Sequence, residues 1–261
     1  MLQEDQDRVV VVLVRARNPS NIGAVARAMH DLGYATLRIV NEYPVPFAAA
    51  KSAVDASSVL EAAVEFPTVA EAVADCTLVY GTTAVGERAL EHPLEVLPVA
   101  AVRARGQLRA GARVALLFGS EKTGLANEEL SHCNALLTIP MNTRTADRHL
   151  SMNLGQAVAV CLYELAREMP ELPAAEGETG ATAGDLERMT TLLRDVLETS
   201  GYTRRHPANA REANVRRLVL RMGLAATDAA VWTGLLRQVL RKVNADVAER
   251  KTNQAVGTSE Q

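Results

Sequence analysis

Short apolar runs alternate with amphipathic stretches along the first 168 residues of the chain. The first run, Val9–Val14, reads VVVVLV and contains no polar position, which is typical of a strand covered on both faces. Similar runs predict four more strands, at residues 36–40, 76–80, 113–118 and 135–139. Apolar positions at helical spacing predict helices at residues 22–32, 48–65, 128–133 and 151–168. This alternation predicts an α/β fold with a parallel sheet and helices on both faces.

The pattern changes after residue 168. Residues 169–184 are rich in Pro, Gly, Ala, Thr and Glu and show no periodicity, which is typical of a linker. Three helical patterns separated by Gly and Pro then predict a small all-α extension over residues 185–251. The polar residues 252–261 predict a disordered tail. We therefore predict one α/β domain over residues 1–168, followed by the linker, the extension and the tail.

Composition narrows the class of protein. A chain of 261 residues with 48% hydrophobic content is long enough for one large domain and a small one. Its N-terminus, MLQEDQDR, is polar, and no apolar run approaches the roughly 18 residues that a membrane span needs. We expect a cytoplasmic protein with no membrane partner. The three cysteines, an odd number at wide spacing, are expected to be reduced and buried, namely Cys76, Cys133 and Cys161.

Charge is unevenly distributed along the chain. The net charge is −3, but residues 204–242 contain nine Arg or Lys residues against Glu212 and Asp228, so this segment carries +7 and the rest −10. A basic segment on an acidic protein confines the attraction for a polyanion to one surface. The alternative is a helix face whose arginines pair with the acidic body. Charge alone supports both interpretations equally.

Three loops that follow predicted strands are the candidate sites, because ligands of open parallel sheets bind beyond the carboxyl ends of the strands. These loops contain NPSNIGAVAR after the first strand, GSEKTGL after the fourth and PMNTRTADRHLSMN after the fifth. No strand is followed by GxGxxG, and GSEKTG lacks the Lys and Ser or Thr of a phosphate loop. The sequence therefore argues against a dinucleotide fold and an NTPase. The histidines, cysteines and acids show no metal-ligand spacing.

The segments NPSNIGAVAR, LLFGSEKTGL and IP…LSMNLGQA, in this order and at these separations, resemble the three motifs of the SpoU/TrmH methyltransferases of the SPOUT class. The resemblance covers residues 9–168, and the Arg-rich helical extension further resembles the TrmJ branch. It implies a parallel α/β sheet with a deep trefoil knot and a homodimer whose site lies where two subunits meet. It also implies S-adenosyl-L-methionine bound in the knot and methyl transfer to a ribose 2′-oxygen in the tRNA anticodon loop.

The resemblance also implies which residues form the site. The catalytic candidates are Arg27, Asn21, Glu121, Ser151 and Asn153, and the cofactor-binding candidates are Thr82, Thr83, Ala84, Gly119, Ile139, Ser151, Met152 and Asn153. A guanidinium holds its protons at neutral pH, so we expect Arg27 to orient the ribose oxygen and stabilise its charge. Ser151 also fits the N-cap of the following helix, whose first turn would contain Asn153. The chemistry requires no metal.

Two alternatives remain open. The substrate RNA could be ribosomal RNA, as for related SpoU enzymes, or the chain could be an RNA-binding protein of this fold without catalysis. No DNA partner is expected. The loop at residues 141–149 is longer and more charged than the resemblance predicts, which leaves its substrate contacts open.

Overall fold

The structure is a computed structural model that describes residues 3–41, 58–84, 91–141, 151–167, 179–209 and 211–257, with side chains up to residue 247. Four predicted segments lie partly outside the described residues. These are the start of the predicted helix at 48–65, most of the linker, nearly all of the loop at 141–149 and the end of the tail at 252–261.

The described residues form one seven-stranded sheet whose neighbouring strands all run parallel. The strand order is β3-β2-β1-β6-β4-β7-β5, with bounds β1 Val9–Val14, β2 Thr36–Val40, β3 Val64–Phe66, β4 Leu78–Thr82, β5 Leu94–Val96, β6 Val114–Phe118 and β7 Ala135–Thr138. The five predicted strands are confirmed, although β4 begins two residues later than predicted. The prediction missed β3 and β5, because three-residue edge strands are too short for a periodic signal. The helix predicted at 48–65 is wrong at its end, which forms β3.

Helices cover both faces of the sheet, as predicted. Their bounds are α1 Gln3–Asp7, α2 Pro19–Asp31, α3 Ser58–Glu61, α4 Val69–Ala72, α5 Leu97–Arg109, α6 Asn127–Leu130 and α7 Leu154–Ala166. Alternate residues of β1 enter two separate apolar cores. One core lies against α2, α3, α5 and α7, and the other lies against α4 and α6. This two-sided burial explains the unbroken valine run. The sequence analysis did not predict α5, whose interior contains Gly106 and several polar residues.

The three cysteines are buried and unpaired, as predicted. Cys161 belongs to the core against α2 and α7, and Cys76 and Cys133 belong to the opposite core. Burial raises the pKa of Cys76 and of Cys161 to about 12, so both thiols stay protonated and act as small apolar side chains. Within the described part of the chain, every helix is too short or too polar to span a membrane.

The C-terminal extension is helical, as predicted. It comprises α8 Ala183–Thr199, α9 Tyr202–Arg205, α10 Glu212–Arg221 and α11 Ala226–Gly257. Its apolar core is small, with six fully buried members: Ala181, Leu186, Met189, Val219, Ala229 and Leu236. The disordered tail predicted from residue 252 is wrong at its start, because α11 continues to Gly257. Residues 235–256 contain neither Gly nor Pro, so no helix-breaking residue ends α11 where the sequence becomes polar.

Candidate active site

The carboxyl ends of four neighbouring strands, β1, β6, β4 and β7, define one edge of the sheet. Each of the three predicted motif loops begins at this edge, after β1, β6 or β7. The segment 151–153, which leads into α7, reaches the same place, because Asn153 contacts α2. Parallel pairing thus gathers loops that are up to about 130 residues apart in sequence, as their positions after strands predicted.

Two hydrogen bonds join one residue from each motif. The side-chain amide of Asn21, in the first turn of α2, donates to Glu121 Oε1 at 2.9 Å. The side-chain amide of Asn153 donates to Asn21 Oδ1 at 3.0 Å. Asn21 is therefore held between a carboxylate and an amide, and its orientation is fixed from both ends. We call this set the Asn–Glu–Asn chain.

Glu121 is fixed by backbone groups as well as by Asn21. Its carboxylate accepts hydrogen bonds from the backbone N–H groups of Arg17 and Asn18, each at 3.3 Å. Partial burial raises the pKa of Glu121, but the hydrogen bonds from Asn21, its own backbone, Arg17 and Asn18 outweigh burial and bring the pKa below its ordinary value. Glu121 is therefore ionised at neutral pH and acts as a fixed acceptor that shapes the loops.

Asn153 is the N-cap of α7, which corrects the prediction that Ser151 fills this role. Asn153 Oδ1 accepts hydrogen bonds from the backbone N–H groups of Gly155 at 3.0 Å and Gln156 at 3.4 Å. Ser151 lies two residues earlier and is exposed. Packing determines this helix start, because a Cβ on Gly155 would lie 2.7 Å from the Cβ of Ala24 on α2. The close approach of α2 and α7 that Gly155 permits was missed by the sequence analysis.

The predicted cofactor-binding residues follow three adjacent strands. Thr82 ends β4, and its hydroxyl donates to the carbonyl of Leu117 at 2.8 Å. The backbone N–H of Thr83 donates to Leu137 O at 2.9 Å, and the exposed Ala84 follows. Gly119 follows β6, and a Cβ there would lie 2.2 Å from the backbone of Gly124, so only glycine permits this fold of the loop. The remaining candidates lie after β7 or just before α7, where Ile139 and Met152 are half-buried and Ser151 is exposed.

Arg27 lies apart from the Asn–Glu–Asn chain. The six-residue separation on α2 places it about 120° around the helix from Asn21. Its exposed side chain lines a groove of about 780 Å³ between α2 and α7. Other residues of the groove include small side chains of α2 and two exposed apolar side chains of α7, namely Ala24, Ala28, Val160 and Tyr163. A single copy therefore does not bring all the predicted catalytic residues together.

The eight arginines within residues 204–242 form two groups. Arg216 is buried, and its guanidinium donates to Ser131, Glu128, Glu187 and Glu212 at 2.7–3.1 Å. Arg217 forms an ion pair with Glu91. Six other arginines are exposed and make no ion pair with another described residue, namely Arg204, Arg205, Arg211, Arg221, Arg237 and Arg241. The structure therefore supports pairing with the body for two arginines and an open basic surface for six.

Comparison with known proteins adds to this geometry. A sequence model of the SpoU rRNA Methylase family matches residues 8–163. The chain belongs to the SpoU methylase family. The matched region contains all seven strands, the Asn–Glu–Asn chain and Arg27, so the resemblance predicted from the three motifs is confirmed.

Relatives of this SpoU-family chain also contain a counterpart of the extension. A tRNA (cytidine/uridine-2′-O-)-methyltransferase TrmJ of Yersinia pestis is 34% identical over 88% of this chain and 90% of its own length. A tRNA (cytidine/uridine/adenosine-2′-O-)-methyltransferase TrmJ of Pseudomonas aeruginosa is 32% identical over 89% and 93%. The crystal structure of TrmJ from Z. mobilis ZM4 superposes with a TM-score of 0.73, at 31% identity over 88% of this chain and 98% of that one. The likeness therefore extends beyond the sheet domain.

Proposed function

We propose that this protein is a cytoplasmic, S-adenosyl-L-methionine-dependent methyltransferase that modifies a ribose 2′-oxygen in the anticodon loop of tRNA. The observation that supports this function best is the Asn–Glu–Asn chain, which joins the three motif segments at the ligand-binding edge of the sheet. Relatives named as tRNA 2′-O-methyltransferases, similar over most of the chain, support the same substrate class.

The loops at this edge suit the adenosyl cofactor. The glycine-only fold at Gly119 exposes backbone rather than side chain beside the loops after β4 and β7. We infer that backbone groups at Gly119, Ile139 and Met152, with Ser151 and Asn153, hold the adenosine part within a knotted chain path. Residues Thr82–Ala84 would lie near the methionine part. The bound sulfonium supplies an activated methyl carbon, so the protein mainly aligns the acceptor.

Arg27 has the chemistry to align that acceptor. Its planar guanidinium can hold a phosphate or a developing alkoxide through two parallel hydrogen bonds. A guanidinium is a hydrogen-bond donor with no acceptor site, so another group must accept the proton. A phosphate of the substrate or a water molecule would assist proton removal.

Replacing Arg27 tests this role. We expect Arg27→Ala to lower methyl transfer about 100-fold, the cost typical of losing one group that stabilises a developing negative charge. The substrate is total tRNA from cells that lack the gene, and mass spectrometry of nucleosides measures the product. His30→Ala, an exposed change on the same helix, is the control and should retain activity. Full activity of Arg27→Ala would contradict the assigned role.

A second copy of the chain would complete the site. The groove beside Arg27 combines the small side chains of Ala24 and Ala28 with exposed Val160 and Tyr163, a surface that suits apolar packing. We infer a homodimer through this face, which brings Arg27 of one copy to the cofactor loops of the other. Tyr163→Arg should give a monomer by light scattering. Val99→Arg, which changes an exposed side chain of α5 outside the groove, should leave the dimer intact. A dimeric Tyr163→Arg variant would contradict this interface.

The exposed arginines of the extension would bind the RNA backbone. The double change Arg204→Gln and Arg205→Gln should weaken tRNA binding and reduce its dependence on salt concentration, because fewer counterions are released. Arg188→Gln is the control, since Arg188 is exposed on α8 but pairs with Asp185. Unchanged affinity of the double variant would contradict a phosphate-binding role.

The family description leaves ribosomal RNA as a second candidate substrate. Mapping of the methylated nucleotide in RNA from deletion and complemented cells separates the two substrates. Calorimetry with S-adenosyl-L-methionine tests the third alternative, because a protein that only binds RNA would show no heat of cofactor binding.

A further inference from the structure

Arg15 has an unusual backbone conformation at the edge of the site. It directly follows β1, and its φ of +54° lies in the left-handed region that favours glycine. Its backbone N–H donates to Val40 O at 2.8 Å, which continues the pairing of β1 with β2. Strained conformations of this kind persist where surrounding contacts hold them, often near functional sites. The side chain of Arg15 shows which contacts these are.

The guanidinium of Arg15 binds the end of the second motif loop and the helix α6 that follows it. Its Nε and Nη2 lie 2.5 and 2.9 Å from the two carboxylate oxygens of Glu129, a bidentate ion pair, and Nη2 also donates to Gly124 O at 3.2 Å. Both side chains are largely buried, with 20% and 14% of their surface exposed. Glu129 in turn accepts a hydrogen bond from the backbone N–H of Ala126 at 2.5 Å. The pair is therefore built into the loop rather than formed on its surface.

This ion pair and the Glu121 contacts connect the same two loops. Residues Arg17 and Asn18, just after Arg15, donate backbone N–H groups to Glu121, and Glu121 lies between Gly119 and Glu129 on the other loop. Arg17 and Asn18 bind the beginning of the second loop at Glu121, and Arg15 binds its end at Gly124. With both ends of the second loop bound to residues that follow β1, Glu121 has little freedom to move relative to Asn21, its donor on α2.

We propose that Arg15, through Glu129, is a positioning residue for the methyl-transfer site. It acts by fixing the distance between the first and second motif loops and does not itself contact the substrate. The proposal rests on the proposed function, because the alignment it supplies is that of the Asn–Glu–Asn chain. Misplacement of reacting groups by about 1 Å can cost about 100-fold in rate. Loss of the Arg15–Glu129 ion pair, which we call the clamp, can therefore lower the rate strongly.

The backbone strain at Arg15 limits the stability that a test variant loses. Arg15→Gly leaves Glu129 without its cation but places glycine where its backbone freedom is favourable. We expect the midpoint of thermal unfolding to fall, and kcat on tRNA from the deletion strain, measured well below that midpoint, to fall about 10- to 100-fold. Arg15→Lys, which keeps the charge but lacks the planar fork, should restore only part of kcat. Arg113→Met is the control, since Arg113 pairs with Asp75 at the opposite end of the neighbouring strand and should leave kcat unchanged.

Hydrogen exchange provides a readout that does not depend on activity. The backbone amide of Gly124, which donates to Ser120 O at 2.8 Å, should exchange faster in both Arg15→Gly and Glu129→Gln than in the parent protein. If this exchange and kcat both stay at parent values in Arg15→Gly, the clamp is refuted. If the parent protein methylates no RNA, the proposed function fails, and exchange at Gly124 alone then confirms or refutes the clamp.

Discussion

The sheet domain and the helical extension are held together by different forces. All six residues of β1 are at most 1% exposed, and apolar side chains fill both faces of the sheet. The described residues of the extension form only one small apolar cluster. The extension contacts the sheet domain through backbone hydrogen bonds at the start of α8, from Ala183 and Gly184, and through charged side chains of α10. Burial of apolar surface responds weakly to pH and salt, whereas charged contacts respond to both. The sheet domain and the extension should therefore unfold under different conditions of pH and salt.

The charged contacts of α10 reach two segments of the sheet domain, and we call them the α10 junction. Arg216 joins Glu128 and Ser131 of the α6 region to Glu187 and Glu212 of the extension. Its neighbour Arg217 pairs with Glu91, shortly before β5. Two consecutive arginines thus attach the extension to two segments of the sheet domain.

Removing Arg216 should give the largest difference in stability between the extension and the sheet domain. Arg216→Met leaves three partly exposed carboxylates close together without their shared cation, so we expect it to cost more than the loss of one exposed ion pair, which is at most about 1 kcal/mol. We expect this loss to be confined to the extension, because β1 and its cores make no use of the arginine. Hydrogen exchange should therefore accelerate across α10 and remain slow in β1.

A matched variant distinguishes burial from charge. Arg194 also pairs with Glu212, but its side chain is 39% exposed, so Arg194→Met should cost at most about 1 kcal/mol. If Arg194→Met and Arg216→Met lower the free energy of unfolding of the extension equally, the buried arginine does not contribute more than the exposed one. If hydrogen exchange in Arg216→Met accelerates equally in β1 and α10, the sheet domain and the extension do not unfold independently.

Acid should weaken the α10 junction before it affects the site. Burial, and then the positive charge of Arg216, lower the pKa of His132 to about 4, against about 6.5 in an unfolded chain. Between these values the unfolded state binds a proton that the folded state does not, so the free energy of unfolding falls as pH is lowered. Burial and Arg217 lower the pKa of His92 in the same direction. Glu121 has a lowered pKa, so its contribution is lost only below the ordinary range of a Glu.

Limited proteolysis at pH 7.5 and pH 5 measures this difference. We expect cleavage within the extension to increase at the lower pH while the sheet domain stays resistant. His132→Gln, which cannot gain a proton, should reduce the increase. An extension that is equally resistant at both pH values would show that the buried histidine does not control its docking.

The sequence predicts the regions of this molecule unequally, for physical reasons. The central strands were predictable because burial on both faces favours apolar runs, whereas β3 and β5 are short and partly exposed, with Val64 53% and Leu94 39% exposed. Charge patterning could not single out Arg216 from nine basic residues, because its acidic partner on α6, Glu128, is 88 positions away.

The site was also predicted only in part from the sequence. Strand ends and the family resemblance predicted that Asn21, Glu121 and Asn153 belong to one site. They did not predict which of two good capping residues, Ser151 or Asn153, begins α7, because that choice depends on packing between α2 and α7. Arg15 lies in no motif that the sequence analysis used, and only its backbone conformation and its contact with Glu129 reveal it.

Variants of Asn153 should have the smallest effect on stability among these tests. They separate two contacts, because the two polar atoms of its side chain have different partners. Its Oδ1 caps α7, and its Nδ2 donates to Asn21. Asn153→Ala removes both contacts and should lower the free energy of unfolding of the sheet domain by about 1 kcal/mol as well as slow methyl transfer. Asn153→Ser keeps a capping oxygen but has no amide, so urea denaturation should change by only a few tenths of a kcal/mol while transfer slows as in the Ala variant. A fully active Ser variant would show that the cap, and not the bond to Asn21, is what the site requires.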